Sequence, residues 1–438
     1  MIRFYLFIII LLALSSNEAQ AKNVQSLDSI WNQIKTNAPD LAVATQDIQT
    51  QKLARQRQSL HWLPKAKLNS SIYSTNDPSL NLLAELNQRQ ITAADFNPAQ
   101  LNSPNRSTYE TIDLNVTLPI YEGGIQTSTH KALKDNLTAS QYMAKSLKEG
   151  KFAQTAADYG VLLTAISSKN RMHSLITKTR KLLGDYELGE KSNPIGHAGF
   201  LSLKNLINKL EASENNLSLK INTVKESLSL KANIQTTNWQ PASLPITTYL
   251  TKYFGKPAKA KELPSHVMAL KKNASATEHM ASAEKGKLLP NVGLFASNNT
   301  FNGTRDTGNS TTAGGYLQWN FFSPTDWLAS KQKMSEARSL NGKATSLLEA
   351  SQIENETSYN NIFTLKKNIS ILHQSLQLMN DQIDNTIDLY NNGVVTILQV
   401  SEVLNNQANL ITDLEQTEES LIMNYASNFL TQGAIHDI

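Results

Sequence analysis

Cysteine is absent from the 438 residues. That excludes disulfides, thiolate metal sites and an acylated cysteine as a lipid anchor. Aromatic residues make up only 7%, while Asn, Ser, Gln and Thr are abundant between the apolar positions, which suits long solvated helices better than a thick globular core. Forty-one Lys and Arg against 37 Asp and Glu leave a net charge of +4, too little at this length to argue for nucleic acid. No stretch reaches the 18 or so apolar residues that a membrane helix needs. Any crossing by the mature chain must then be a β-barrel. His-Glu-x-x-His, a Walker A loop and Gly-x-Ser-x-Gly are all missing. The eight histidines stand apart, none paired at metal spacing. The residues therefore point to no catalytic site, metal or cofactor.

What is present begins with a targeting signal. Arg3 precedes an apolar run from Phe4 to Leu14, and Ala19-Gln20-Ala21 is an A-x-A cleavage site, which predicts a signal peptide over 1–21 cut after Ala21. The run is too short to span a bilayer as a helix.

Three landmarks then recur in the same order, the mark of a duplication. Leu63-Pro64 and Leu289-Pro290 each precede an alternating segment. Strand-like runs end in Leu118-Pro119-Ile120-Tyr121-Glu122-Gly123-Gly124 and in Trp319-Asn320-Phe321-Phe322-Ser323-Pro324. Long helices end at Tyr186-x-x-Gly189 and Tyr390-x-x-Gly393. The expected plan is a first repeat over 22–237, an irregular connector over 238–264 with four prolines, and a second repeat over 265–438. Each half reads as helix, strand, strand, long helix, helix. Residues 28–62 carry Ile30, Ile34, Leu41 and Ile48 at helical spacing, ended by Pro64. Period-two runs predict strands at Ala66–Ile72, Ile112–Ile120, Val292–Ala296 and Leu317–Phe321. A soluble sandwich would show the same alternation.

From Ile125 to Tyr186 and from Trp327 to Tyr390 there is no proline. Each stretch as a helix would reach roughly 90 Å. In the second, Ile362, Leu365, Ile369, Leu372, Leu376, Met379, Ile383, Ile387 and Tyr390 step by threes and fours, a coiled-coil seam. The carboxylates on these helices read as solvated faces. Gly393 suits a helix C-cap, and Thr396 with Gln399 forms a capping box for the next helix. Gly196-His197-Ala198-Gly199 reads as a flexible turn. The fold class is mainly α with a small β part. Four strands leave two open edges, and a membrane sheet must close, so several chains must pool theirs.

The duplicated plan resembles the TolC-like outer-membrane efflux family. Leu63-Pro64 and Leu289-Pro290, the LPIYEGG turn over 118–124, and the tip glycines Gly189 and Gly393 carry the resemblance, over nearly all of the mature chain. It implies a homotrimer, with a twelve-stranded barrel in lipid of the outer membrane and a coiled-coil helical tunnel in the periplasm. It also implies a periplasmic adaptor (membrane fusion protein) and an inner-membrane transporter of resistance-nodulation-division or ABC type. Pro64, Pro119, Pro290 and Pro324 would mark strand–helix junctions. Gly189 and Ser192 at the first tip, with Gly393, Val395 and Thr396 at the second, would meet the adaptor. Glu402 and Gln399 match positions that line the family's closed periplasmic entrance, and Tyr390 matches a latching tyrosine. Val395 stands where the best-known pattern has an arginine, which removes one latch salt bridge. Residues 76–105 and 299–311 are expected as extracellular loops. The residues alone leave a second reading, a soluble periplasmic coiled-coil scaffold or adaptor.

Overall fold

A computed structural model describes residues 23–185, 194–235 and 239–433. The signal segment with Ala19 and Ala21, and the first tip with Gly189 and Ser192, lie outside the described residues.

Strand β1 (Asn23–Gln25) leads into α1 (Leu27–Asn37). Ser26 caps the helix by accepting the Ser29 N–H at 3.1 Å. Leu27, Ile30, Trp31 and Ile34 share its buried face. The single helix expected over 28–62 is broken at Ala38, which is extended at φ −71°, ψ 115°. The cause is Pro39, which disfavours the helical region for the residue before it and offers no N–H. A new helix, α2 (Pro39–Ser59), starts on that proline.

β2 (Lys65–Thr75) follows. The expected loop over 76–105 is largely ordered, with α3 (Pro78–Asn87), a 3-10 turn (Ala93–Phe96) and α4 (Pro98–Asn102). Asp77 and Asn97 cap the two helices, and each is followed by proline at the first helical position, the place where its missing N–H costs nothing. β3 (Ser107–Glu122) runs into α5 (Ile125–Asp185), and α6 (Pro194–Ala232) comes next. Gly196–Gly199 lies in the first turns of α6 rather than in a flexible turn. The segment expected as an irregular connector holds β4 (Trp239–Pro241) and α7 (Ile246–Phe254). Pro241 is the last residue of β4 and Pro245 directly precedes α7, whose apolar Tyr249, Leu250 and Phe254 are buried. Then come α8 (Ser265–Gly286), β5 (Asn291–Asn302), β6 (Thr307–Gln318), α9 (Pro324–Asn391) and α10 (Ile397–Thr431).

The chain forms two compact units, and their boundaries fall inside helices. One unit takes the residues up to Thr45, Tyr142–Met268 and Thr345 onward. In it β1 pairs in parallel with β4. Tyr159 donates its hydroxyl to the Gln25 carbonyl at 2.8 Å, and the Trp239 indole donates to Ser229 Oγ at 2.8 Å. Phe152 packs between Trp31 and Phe429, with ring centroids 5.3 and 5.7 Å away. Each such buried side chain contributes roughly 2 kcal/mol relative to exposure. The expected seam of α9 joins this core: Ile362, Ile369, Leu376 and Ile383 are buried at seven-residue steps, with Leu365, Leu372, Met379, Ile387 and Tyr390 packed beside them.

The other unit, Gln46–Gln141 and Ala269–Ala344, contains one antiparallel sheet in the order β2-β3-β5-β6. The final strand differs from the expectation. It runs over Thr307–Gln318 and stops short of Trp319 and Phe321. Much of it is Gly, Thr and Ser, which hides its period. The loop expected over 299–311 is mostly strand and shrinks to a turn over 303–306.

Candidate functional site

The sheet sorts its residues by register. Directly opposed residues share a face, and successive ones alternate. On one face lie the rows Ala66–Val116–Ala296–Ala313, Leu68–Leu114–Asn298–Thr311, and Leu118–Leu294–Gly315. On the other lie Lys67–Asn115–Ser297–Thr312 and Asn69–Asp113–Asn299–Ser310. Over these rows one face is predominantly apolar and one polar. Toward the β5–β6 turn the first face turns polar, with Ser70, Thr300 and Asn309 beside Ile112, and Glu110, Asn302 and Thr307 beside Ile72. The apolar face is bare: Leu68 is 65% exposed, Ile72 71% and Leu294 48%. A soluble sandwich would bury those residues under a second layer. Among the described residues β2 and β6 each keep one edge unpaired.

The four junction prolines fall as follows. Pro64 and Pro290 directly precede β2 and β5, and Pro324 opens α9. Pro119 lies inside β3 instead, where the β3–β5 register slips between Pro119 and Tyr121. A bulge tolerates a residue without an N–H. At the end of β3, Gly123 has φ +61°, and a Cβ there would sit 2.1 Å from the Gly286 carbonyl oxygen. Only glycine fits that turn. At this end of the sheet Trp62, Tyr121, Trp319, Phe321 and Phe322 are all exposed.

At the opposite end the β5–β6 turn is tied to the 76–105 segment. Arg305 donates both terminal nitrogens to Asp95, at 2.8 and 2.6 Å, and one of them also reaches Glu85 at 3.0 Å. The Gln88 amide oxygen accepts the Arg305 and Asp306 N–H groups, each at 3.1 Å. The Arg305 guanidinium, then the Thr92 backbone and hydroxyl, hold the Asp95 carboxyl far below the usual carboxylate range.

The second helix-hairpin tip is fully described. Gly393 has φ +71°. Its N–H donates to the Tyr390 carbonyl, and the Val394 N–H to the Leu389 carbonyl, each at 2.9 Å, which is a Schellman end for α9. Thr396 then starts α10. The Gln399 side-chain oxygen accepts the Thr396 N–H at 2.8 Å and the Thr396 hydroxyl at 3.1 Å. Gln399 and Glu402 are exposed, while Tyr390 and Val395 pack partly against the core. Beyond the tip, Ser202 of α6 donates to Ser401 of α10 at 2.9 Å.

Deeper in the helical unit are ionisable residues that do not face water, contrary to the reading of all the helix carboxylates as solvated. Glu415 and Glu418 are 6% and 5% exposed. Lys220 of α6 bridges Glu415 and Glu419 at 2.6 and 2.7 Å. His373 Nε2 lies 3.9 Å from Glu418. Burial raises the Glu418 carboxyl to about 7, opposed by Arg171 and reinforced by Glu415. Burial, with the nearby Arg171 charge, lowers the His373 pKa. The available signal was positional: Glu418 occupies the apolar stripe of Ile411, Leu414, Leu421, Ile422 and Tyr425. Among the described residues no group of three His, Cys, Asp or Glu could hold a metal, and no helix is long and apolar enough to cross a membrane.

No protein-family model and no curated sequence relative matches the chain. Solved structures do. CusC, described in terms of folding and transmembrane channel formation, aligns with a TM-score of 0.74 at 12% identity over 93% of this chain and 92% of its own. The Campylobacter jejuni CmeC outer-membrane channel aligns at 0.71 and 13%, covering 93% and 85%. The outer-membrane protein VceC of Vibrio cholerae aligns at 0.71 and 14%, covering 93% and 96%. The chain has this TolC-like fold.

Proposed function

We propose that the chain is the outer-membrane exit duct of a tripartite export system. The observation that carries this is the sheet: one face exposed and predominantly apolar over the half nearer the strand–helix junctions, one polar face and, among the described residues, two unpaired edges. In lipid, unpaired backbone groups cost several kcal/mol each, so the edges must meet other strands. In water, the bare apolar face would be the liability, which disfavours a soluble scaffold. Twelve strands from three copies would close the barrel, with apolar residues to lipid and polar residues to the lumen. The exposed aromatics at the strand–helix junctions suit the membrane–water interface. The helical unit would lie in the periplasm. Residues 22–237 and 265–438 would be two copies of one plan.

The tips would receive a periplasmic adaptor, on Gly393, Val395 and Thr396 of the second and on Gly189 and Ser192 of the first. The adaptor would connect the duct to an inner-membrane transporter of resistance-nodulation-division or ABC type. Solute efflux and type I protein secretion both suit such a duct. At the closed entrance, Glu402 would form a ring of three carboxylates beside Gln399 and Tyr390. Such a ring in a narrow mouth focuses the field and attracts cations.

Bilayer conductance tests the pore and the ring together. Wild-type channels should conduct, and a trivalent cation on the periplasmic side should block them. Glu402→Ala should raise the blocking concentration about tenfold or more, the equivalent of roughly 1.4 kcal/mol per channel. Gln399→Asp should lower it. Equal block of wild type and Glu402→Ala would remove the gate assignment and leave the duct, whereas no conductance at all would remove both.

A further inference from the structure

Arg171 and Lys178 of α5 border a cleft of about 400 Å³ between α5, α9 and α10. Arg171, Ser174 and Lys178 follow at three- and four-residue steps and so share one helix face. His373 and Asn380 of α9 and Gln407 of α10 line the other sides, and no carboxylate is among the lining residues. Arg171 Nη1 is buried and meets no acceptor among the described residues. We propose that this cleft binds a small inorganic oxyanion of the phosphate or sulfate kind, seated on Arg171 and closed over by Lys178.

An unmatched guanidinium N–H in a buried place costs more than a neutral one, and a planar guanidinium matches an oxyanion well. Two carboxylates stand near the cleft, Asp384 paired with Lys178 and Glu418 at 3.9 Å from His373 Nε2. Glu418, on α10, is the buried carboxylate whose charge Arg171 stabilises, yet no ion pair joins the two. His373 stays uncharged near neutral pH because burial and Arg171 hold its pKa down. It can donate one ring N–H without adding charge. The Gln407 side-chain amide donates to Asn380 Oδ1 at 2.6 Å. That orients the Asn380 carboxamide and keeps its NH2 available as a donor. Lys178 pairs with Asp384, whose side chain is 67% exposed against 37% for the lysine. Such a pair is worth little, so Lys178 can turn to an anion. The bound anion would join α5 to α9 and α10.

Calorimetry of the detergent-solubilised full-length chain with inorganic phosphate, at neutral pH and constant ionic strength, tests the site. Wild type should bind saturably, one phosphate per chain. Arg171→Gln should weaken binding about tenfold or more, the loss of one charge-assisted hydrogen bond. Lys178→Gln should weaken it less. Ser174→Asp places a carboxylate one turn from Arg171 and supplies the anion internally. It should raise the melting temperature without phosphate and abolish phosphate binding. That variant decides the matter if Arg171→Gln does not fold. Absence of saturable binding by wild type, equal affinity in Arg171→Gln, or unchanged binding in Ser174→Asp would each overturn the site.

Discussion

Glu418 sits on the apolar stripe of α10, between Leu414 and Leu421. Its carboxyl is raised from the usual 4.5 to about 7, first by burial. The unfolded chain therefore loses this proton at lower pH than the folded chain. Folding is favoured by the proton below about 4.5, and that stability is lost as pH rises through 7. At roughly 1.4 kcal/mol per tenfold change in proton affinity, the full effect is on the order of 3 kcal/mol. Glu418→Gln should thus melt well above wild type at pH values past neutrality and close to it at pH below 5. Thermal melts across that range check the sign, and a constant difference at every pH would contradict it. The local geometry of the second tip was legible in the sequence. Gly393 is the left-handed residue and Gln399 folds back on Thr396, because both effects are local backbone chemistry. The burial of Glu415 and Glu418 was not legible. A carboxylate inside an amphipathic stripe looks like an interruption until the cations on other helices, Lys220 and Arg171, are placed around it.

At the scale of elements, the long helices and their seam follow from period and from the absence of proline. The ends of α9 fall within a few residues of the expected ones, and α5 is helical from Ile125 to Asp185, with its expected end at Tyr186 outside the described residues. The break at Pro39 has a signal of its own in the proline, which the apolar spacing on both sides hides. β6 was obscured because its Gly-, Ser- and Thr-rich stretch has no apolar alternation, and its strand pairing comes from β5. The 76–105 segment reads as a loop in the sequence, and its order depends on a partner distant in sequence. Arg305 holds it through Asp95 and Glu85. Arg305→Ala should release this contact while leaving the sheet intact. Limited proteolysis should then cut between Gln88 and Arg106 several-fold faster than in wild type, with unchanged circular dichroism. Equal cleavage rates would show that the segment is held by its own caps alone.

At the scale of the whole molecule, the resemblance to outer-membrane channels was legible from the order of weak motifs rather than from any single one, and the fold comparisons agree at 12–14% identity. The number of chains is different in kind, since four strands require partners but do not count them. A closed barrel requires the sheet edges of β2 and β6 to meet those of other copies. Light scattering of the detergent-extracted protein, corrected for bound detergent, measures that most directly. The expected mass is that of three chains, held together by strand pairing. A folded, stable, monodisperse single chain in detergent would contradict the barrel and, with it, the proposed duct.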